Sequence, residues 1–443
     1  MTSSGAISSA ITRLAREDGG RVLALLARQF GDLDLADEAV QDGLAEAVQT
    51  WPERGVPDNP AGWLMTVARN KAIDRLRRAA SARRRTLAAA PELVAGTALL
   101  DGGQLDGEPT EDQLDQTGVE PTMMGGRVGS RPGDEEQLRL ILLCCHPALD
   151  RDTQVALTLR LVGGLTTQEI ASAFLVPPAT LAQRIVRAKR KIRDARIPLR
   201  LPAELTERVD AVLGVLYLIF NEGYLTRADG TQPIRIDLAD EAIRLTRLLT
   251  GLLPESSEAA GLLALETFHR ARLDARTDPA GELILLADQD RSTWDRSMIE
   301  EGNALLASAM QQMRPGPYQL QGLIAAYHAN AATAEATDWP AIATVYQQLS
   351  AMTPSPVVAL NQAVAVAMAD GPSVGLARLD QLSGLNTYHL YHAARAELLL
   401  LAGDPVAATA GFQRARGLTE NLAEQRHLDR RLAVSRHAAS QLG

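Results

Sequence analysis

Residues whose chemistry suits nucleic acid are concentrated in one stretch near the middle of the chain. From Thr166 to Arg196, seven Lys or Arg side chains stand against two Asp or Glu side chains. Small polar residues and an arginine precede most of these cations, at Thr180, Gln183 and Arg184. Polar and guanidinium groups can hydrogen-bond base edges, and further cations can pair with phosphates. The alternative is a surface helix with a solvated charged face.

The elements around these side chains favour the DNA-binding interpretation. Ile170 and Phe174 are four residues apart, which predicts a first helix over 166–174. Pro177 interrupts it, and Pro178 has the fixed φ that suits the first turn of a second helix. That helix carries an inward apolar stripe of Leu181, Ile185, Ala188 and Ile192. The pattern predicts a helix-turn-helix whose second helix presents its basic surface to DNA.

Composition limits the other possibilities. The chain has 443 residues, a net charge of −9 and only 4% aromatic residues, which predicts several all-α domains. Any binding of nucleic acid must depend on local basic segments rather than on the overall field. The sequence shows no signal peptide and no apolar run of membrane-spanning length, so a cytoplasmic location is expected. Nucleophile motifs and phosphate loops are also missing, so an enzyme is not expected.

The adjacent pair Cys144 and Cys145 lies in an apolar segment, followed by His146. Two small buried hydrophobic side chains are the predicted role, because a disulfide between neighbours would be strained. Further ligands at zinc spacing are missing nearby, so neither a metal nor a cofactor is predicted.

The N-terminal part has three predicted helical pieces, near 7–30, 34–51 and 60–85. Asp32 or Asp34 can cap the second piece, which has an acidic outer side. The third piece reads NPAGWLMTVARNKAIDRLRR and ends in cations.

These two pieces resemble region 2 of the extracytoplasmic-function sigma factors of bacterial RNA polymerase, and the helix-turn-helix resembles their region 4. The resemblance implies that the acidic helix binds the β′ clamp helices of the polymerase, through Asp37, Glu38, Gln41 and Asp42. It implies contacts with the −10 promoter element at Asn59, Trp63, Arg69, Asn70, Lys71, Asp74, Arg75 and Arg78. It implies −35 contacts at Thr167, Thr180, Gln183, Arg184, Arg187 and Lys191, with the β flap as a further polymerase contact.

The resemblance and the composition together predict four segments. Residues 1–85 form sigma domain 2, 86–133 a flexible linker, 134–197 sigma domain 4 and 198–443 a helical extension. Within the linker, Asp101 to Gly126 contain seven acids and no Lys or Arg. Two interpretations stay open for this linker, an inert tether or an acidic segment in the RNA-exit path.

The extension carries a repeated break. Asp338-Trp339-Pro340, Asp370-Gly371-Pro372 and Gly403-Asp404-Pro405 place prolines 32 and 33 residues apart, close to the roughly 34 of tetratricopeptide hairpins. A right-handed stack with a concave face is predicted. The sequence of the extension resembles that of a sigma-factor subgroup with a long tetratricopeptide-like extension. This subgroup is often associated with YCII-related (DGPF) proteins, so the resemblance implies such a protein as a possible partner.

Two further stretches stand out in the extension. Val215 to Gly230 is expected to pass from an apolar helix into a polar turn at 221–224, which predicts either a helix that ends at a glycine or a ligand or docking site. Around Trp294, the charged residues Asp290, Arg291, Asp295 and Arg296 predict either an internal ion-pair network or a ligand or docking site.

The leading functional hypothesis is a promoter-specificity subunit that the extension controls in cis, with the sign of that control open. The alternative is a one-component regulator that joins a helix-turn-helix to a helical-repeat sensor. Such a regulator would bind duplex operator without core polymerase.

Overall fold

The structure, a computed structural model, describes residues 3–88, 133–174, 176–201, 205–224, 236–278 and 284–441. Contacts divide the chain into two compact units, Met1–Ala211 and Val212–Gly443. Helices form the regular structure of these ranges, so the all-α prediction is confirmed. Within the same ranges, no helix is both long and apolar enough to cross a membrane. Most of the predicted acidic linker, 89–132, and Leu175 of the turn lie outside the described residues.

The first unit contains eight α-helices within its described ranges. In chain order they are α1 (Ser3–Glu17), α2 (Gly19–Phe30), α3 (Leu33–Arg54), α4 (Pro60–Ala88), α5 (Asp134–Cys144), α6 (Arg151–Leu157), α7 (Thr167–Ala173) and α8 (Pro178–Asp194). A π-helical turn, Thr158–Val162, continues α6. Asp32 caps α3, because its carboxylate accepts hydrogen bonds from the backbone N–H groups of Asp34 and Leu35 at 2.8 and 3.0 Å.

The predicted helical piece 7–30 is divided into α1 and α2 at Asp18. Just after this break, at the start of α2, the backbone comes close to another segment. A Cβ on Gly20 would lie 2.9 Å from the carbonyl oxygen of Val162, so only glycine lets α2 approach the π-helical turn this closely. Apolar periodicity alone does not reveal such an approach.

Helices α3 and α4 pack through an aromatic pair at the end of α3. Trp51 is 1% exposed, and its ring meets Trp63 of α4 edge to face with 5.3 Å between centroids. Leu64, Ala68 and Ala72 of α4 are fully buried. The aromatic pair and this apolar row fix α4, with its cations, along α3.

The predicted helix-turn-helix is present. Helix α7 begins with a capping box, in which the Thr166 hydroxyl accepts from the N–H of Glu169 at 3.1 Å and the Glu169 carboxylate accepts from the N–H of Thr166 at 2.7 Å. Helix α8 begins at Pro178, as its fixed φ predicts. Leu181, Ile185, Ala188 and Ile192 are buried, which confirms the inward stripe.

The second unit holds the rest of the chain, with α9 running across the boundary between the units. Its helices are α9 (Leu205–Tyr224), α10 (Ile236–Leu252), α11 (Ser257–Ala271), α12 (Arg296–Gln311), α13 (Pro317–Asn330), α14 (Trp339–Met352), α15 (Pro356–Asp370), α16 (Pro372–Leu379), α17 (His389–Leu401), α18 (Pro405–Arg416) and α19 (Leu422–Ser440). Two short 3-10 helices, Leu273–Arg276 and Arg291–Thr293, lie between α11 and α12.

The repeated break has the predicted local geometry. Asp338 and Asp404 cap α14 and α18 by accepting from the N–H groups of Ala341 and Ala407 at 3.0 and 2.9 Å. Gly371, with φ of 103°, lies between α15 and α16. Successive apolar clusters then form along the chain, the last around Phe412, as expected of stacked hairpins. The right-handed superhelix stays a prediction.

The polar turn predicted at 221–224 is wrong, because α9 continues through these residues to Tyr224. Aromatic packing holds this end of the helix. The Tyr224 ring stacks on Phe220 with 5.7 Å between centroids, and Arg276 lies over the Tyr224 ring at 3.8 Å. These contacts favour the helical conformation over the turn that Asn221 and Gly223 suggest in the sequence.

Candidate nucleic-acid interface

Helix α8 presents two different rows of polar side chains beside its buried stripe. Gln183, Arg187 and Lys191, spaced four apart, form an exposed row together with the nearby Thr180. Lys189 and Arg193 continue a second row that begins at the buried Ile185. The first row, with its cations toward solvent, has the geometry to contact a DNA groove and its phosphates.

Two other residues predicted to contact the −35 element are only partly accessible. Arg184 is half-buried and pairs with Asp152 at 3.3 Å. Thr167 is the half-buried first residue of α7. Lys191, although exposed, donates to the carbonyl oxygen of Ala148. Of the two cations in the exposed row, Lys191 must break this hydrogen bond to bind a phosphate, whereas Arg187 need not break one with any described residue.

The residues predicted to contact the −10 element lie along α4 and its N-terminal loop. Asn59 caps the helix by accepting from the N–H of Gly62 at 3.0 Å, and the half-buried Trp63 packs against Trp51. The others divide by exposure: Asn70, Asp74 and Arg78 are exposed, while Arg69, Lys71 and Arg75 are half-buried.

Lys71 and Arg75 are paired with the acidic side of α3. Arg75 donates to Asp42 at 2.7 Å and also to Glu38, and Lys71 pairs with Glu46 at 2.7 Å. Its hydrogen bond to Asp42 raises the pKa of Arg75, and the hydrogen bond to Glu46 raises the pKa of Lys71. Two cations predicted to contact promoter DNA thus neutralise acids predicted to face polymerase. Because the side chains of these pairs keep between 34% and 56% of their surface exposed, the pairs contribute little stability and can exchange for other partners.

Asp37 has a different environment from the other acids of α3. Glu38 is exposed and Gln41 and Asp42 are half-buried, but Asp37 is buried. Its carboxylate meets Nζ of Lys189 on α8 at 2.5 Å, and Nη2 of Arg160 lies 3.8 Å from it. Sequence reasoning did not pair these two residues, because Lys189 and Asp37 are 152 residues apart.

The buried cysteines behave as predicted small hydrophobic residues. Cys144 and Cys145 are free and 0% exposed. Burial raises the pKa of the Cys145 thiol to about 11, and that thiol lies 3.6 Å from the Thr158 hydroxyl. The neighbouring His146 ring accepts from the N–H of Ala148 at 3.1 Å. In the described part of the chain, no group of three or more His, Cys, Asp or Glu side chains is arranged to hold a metal ion.

The charged residues around Trp294 do not form the predicted ion-pair network. Asp290 and Asp295 cap the second 3-10 helix and α12, accepting from the N–H groups of Ser292 and Met298 at 2.9 and 3.1 Å. Arg291 is buried over the Trp294 ring at 4.7 Å, and it donates to the carbonyl oxygens of His328 and Ala331 at 2.6 and 2.9 Å. This segment therefore stabilises the C-terminal end of α13 through the hydrogen bonds of Arg291. The alternative, a ligand or docking site, stays a prediction.

Comparison with known proteins agrees with the order of these elements. Residues 14–82 match the family model for sigma-70 region 2, residues 139–192 that for sigma-70 region 4, and residues 208–310 a family of unknown function (DUF6596). An uncharacterized protein of Rhizobium meliloti (strain 1021), R00370, is 40% identical over 431 residues, which cover 97% of this chain and 95% of that protein. No solved structure matches the chain.

Proposed function

Because the chain belongs to the extracytoplasmic-function type of sigma factors, with a C-terminal extension, we propose that its first unit recruits core polymerase and reads both promoter elements. The observation that carries the proposal is the exposed polar row of α8, in a helix-turn-helix that follows a region 2 segment on the same chain. The chain itself would perform no covalent chemistry, and it would act in the cytoplasm, where promoter DNA and polymerase are found.

The polymerase-binding role is assigned to the acidic side of α3, at Asp37, Glu38, Gln41 and Asp42. Glu38 and Asp42 are accessible, and within the described residues each forms its ion pair with Arg75. A cationic surface of the β′ clamp helices could replace that guanidinium without leaving a buried charge uncompensated. The β flap would contact the region 4 part.

DNA contacts are assigned to α4 with its loop for the −10 element and to the exposed row of α8 for the −35 element. On α4, Asn70 and Arg78 are exposed and available for bases and phosphates. Trp63 is half-buried against Trp51, so its exposed part could stack on an unpaired base while the rest anchors α4 to α3.

The test is transcription in vitro and direct binding with purified core polymerase. Joint charge reversal, Glu38→Lys with Asp42→Lys, should weaken polymerase binding about tenfold or more and reduce promoter-dependent transcript accordingly. A chain that is folded but gives no promoter-dependent transcript with core polymerase would contradict the sigma-factor role.

Two controls isolate the cause. Glu53→Lys changes an exposed acid near the end of the same helix and should leave polymerase affinity unchanged. Arg75→Gln breaks the same ion pairs from the other side, so it should reduce promoter opening while sparing polymerase affinity. If Arg75→Gln weakened polymerase binding as much as the double reversal, the acids would act by holding α4 rather than by binding polymerase.

We further propose that the extension controls the first unit in cis, with a YCII-related (DGPF) protein as a possible partner. The chain should be cut after Ala211 rather than after Ile197. Arg208 donates to the carbonyl oxygen of Leu142, and Arg151 donates to that of Ala211, so the shorter cut would remove part of the first unit. A gain of transcript on truncation would indicate inhibition and a loss would indicate activation. Unchanged activity and promoter choice would contradict control in cis.

A further inference from the structure

The first unit contains a salt-bridged contact between the acidic start of α3 and the basic C-terminal half of α8, which we call the α3–α8 clasp. It comprises Asp34 and Asp37 on α3 and Lys189 and Arg193 on α8. Lys189 lies 2.5 Å from Asp37 and 3.4 Å from Asp34, and Arg193 lies 3.0 Å from Asp34. The side chains of Lys189 and Asp37 are only 10% and 8% exposed, so this central pair is largely removed from water.

Other contacts join the same two parts of the unit. A Cβ on Gly164, where φ is 69°, would lie 2.3 Å from the carbonyl oxygen of Ala15 in α1. On the other side, Arg28 of α2 pairs with Glu136 of α5, whose side chain is 7% exposed. Because backbone and charged groups fit together at several points, the clasp belongs to a built interface rather than to a chance meeting of surface charges.

The two rows of α8 differ in whether they contact α3. The row of Gln183, Arg187 and Lys191 remains exposed, while Lys189 and Arg193 face α3. Asp37, one of the carboxylates assigned to polymerase binding, is covered by the chain's own lysine. Because Asp37 is only 6% exposed while Lys189 covers it, a cation of another protein cannot reach its carboxylate until this contact opens.

We propose that the α3–α8 clasp is an autoinhibitory contact: the closed first unit covers part of its polymerase-binding surface, and the clasp must open before core polymerase binds fully. The inference rests on the proposed function of α3. Because Lys189 and Asp37 belong to one chain, the clasp competes as an intramolecular partner whose effective concentration is high. The apparent affinity for polymerase is then reduced by the fraction of chains that are open.

The experiment measures the affinity of the full-length chain for core polymerase. Lys189→Met removes the buried cation but keeps the length of the side chain, and should lower the apparent Kd about tenfold by raising the open fraction. Arg193→Gln acts at an exposed position, 61% accessible, that carries less risk to folding. It should lower the apparent Kd about twofold, because it leaves the buried pair in place.

Arg190→Met is the matched control. This substitution also removes one positive charge from α8, but Arg190 pairs with Asp194 of the same helix, at 3.3 Å. The variant should therefore bind polymerase like the unchanged chain. Opening itself is measured by energy transfer between dyes on Glu53→Cys and Gln183→Cys, both exposed positions, while Cys144 and Cys145 are buried from the reagent. Lys189→Met should reduce the transfer, and Arg190→Met should not.

The outcomes separate the clasp from the sigma-factor role. Equal polymerase affinity in the unchanged chain, Lys189→Met and Arg193→Gln would overturn autoinhibition, while the Glu38 and Asp42 reversal would still report on the proposed function. If no form of the chain binds core polymerase, the proposed function fails, and autoinhibition of polymerase binding fails with it. If the unchanged chain binds polymerase, unchanged energy transfer in Lys189→Met would overturn the clasp, and reduced transfer together with tighter binding would support it.

Discussion

Arg187 offers the sharpest test of the DNA-binding row on α8. Its side chain is exposed, and no ion pair or hydrogen bond to it is found among the described residues. Removing it as Arg187→Ala therefore deletes a cation without breaking a structural contact. Each phosphate contact contributes about 0.9 to the slope of log affinity against log salt concentration. Over a fourfold rise in salt, such as from about 50 to 200 mM, one lost contact corresponds to about a 3.5-fold smaller loss of affinity.

The assay is a salt titration of holoenzyme binding to a duplex that carries the −35 element. Arg187→Ala should bind more weakly at low salt, and its slope should be shallower by about 0.9. Arg414→Ala removes an exposed arginine of α18 in the second unit and should give the same slope as the unchanged chain. Arg184→Ala should have a smaller effect, because Arg184 must first leave Asp152.

Equal salt slopes for Arg187→Ala and the unchanged chain would refute this reasoning, because they would show that Arg187 neutralises no phosphate. The refutation would hold even if the variant bound more weakly by the same factor at every salt concentration. That result would indicate a change in shape or packing rather than a lost ion contact.

Two further predictions concern the stability of each unit. Gly164→Ala should lower the melting temperature more than Gly31→Ala: both glycines have φ of 69°, but only at Gly164 would the new Cβ meet a backbone oxygen, whereas nothing lies within 4 Å at Gly31. Equal losses would show that the α1 contact relaxes freely. In the second unit, burial raises the pKa of Glu266 well above its usual value, so the unfolded chain loses its proton first and stability should fall as the pH rises above about 4.5. Glu266→Gln should flatten that fall in a series of melting curves, and an unchanged pH profile would contradict it.

The sequence predicted the elements whose signals are local. The proline at the start of α8, its four-residue stripe and the Asp or Gly breaks of the extension each depend on a few neighbouring residues, and the structure confirms them. Two features depended on distant packing instead. The close approach of Gly20 to Val162 at the start of α2 and the packing of Tyr224 against Arg276 both join residues that are far apart in the sequence.

The clasp shows why the site was predicted only in part. In the sequence, Lys189 is one of six cations on α8, and Asp37 is one of several acids on α3. One local signal does distinguish Lys189: it stands four residues after the buried Ile185, at the edge of the stripe, whereas Arg187 and Lys191 stand away from it. That position indicates a cation that faces protein, but it does not identify the partner across 152 residues.

The two rows of α8 also predict a reciprocal pattern that neither variant gives alone. Lys189→Met should change polymerase affinity through the clasp and leave the salt slope of promoter binding unchanged, because Lys189 faces α3. Arg187→Ala should change the slope and leave polymerase affinity unchanged, because Arg187 faces solvent. If the two variants instead changed both quantities together, α8 would act as one undivided basic surface. The assignment of DNA binding to the exposed row and of the clasp to the second row would then be wrong.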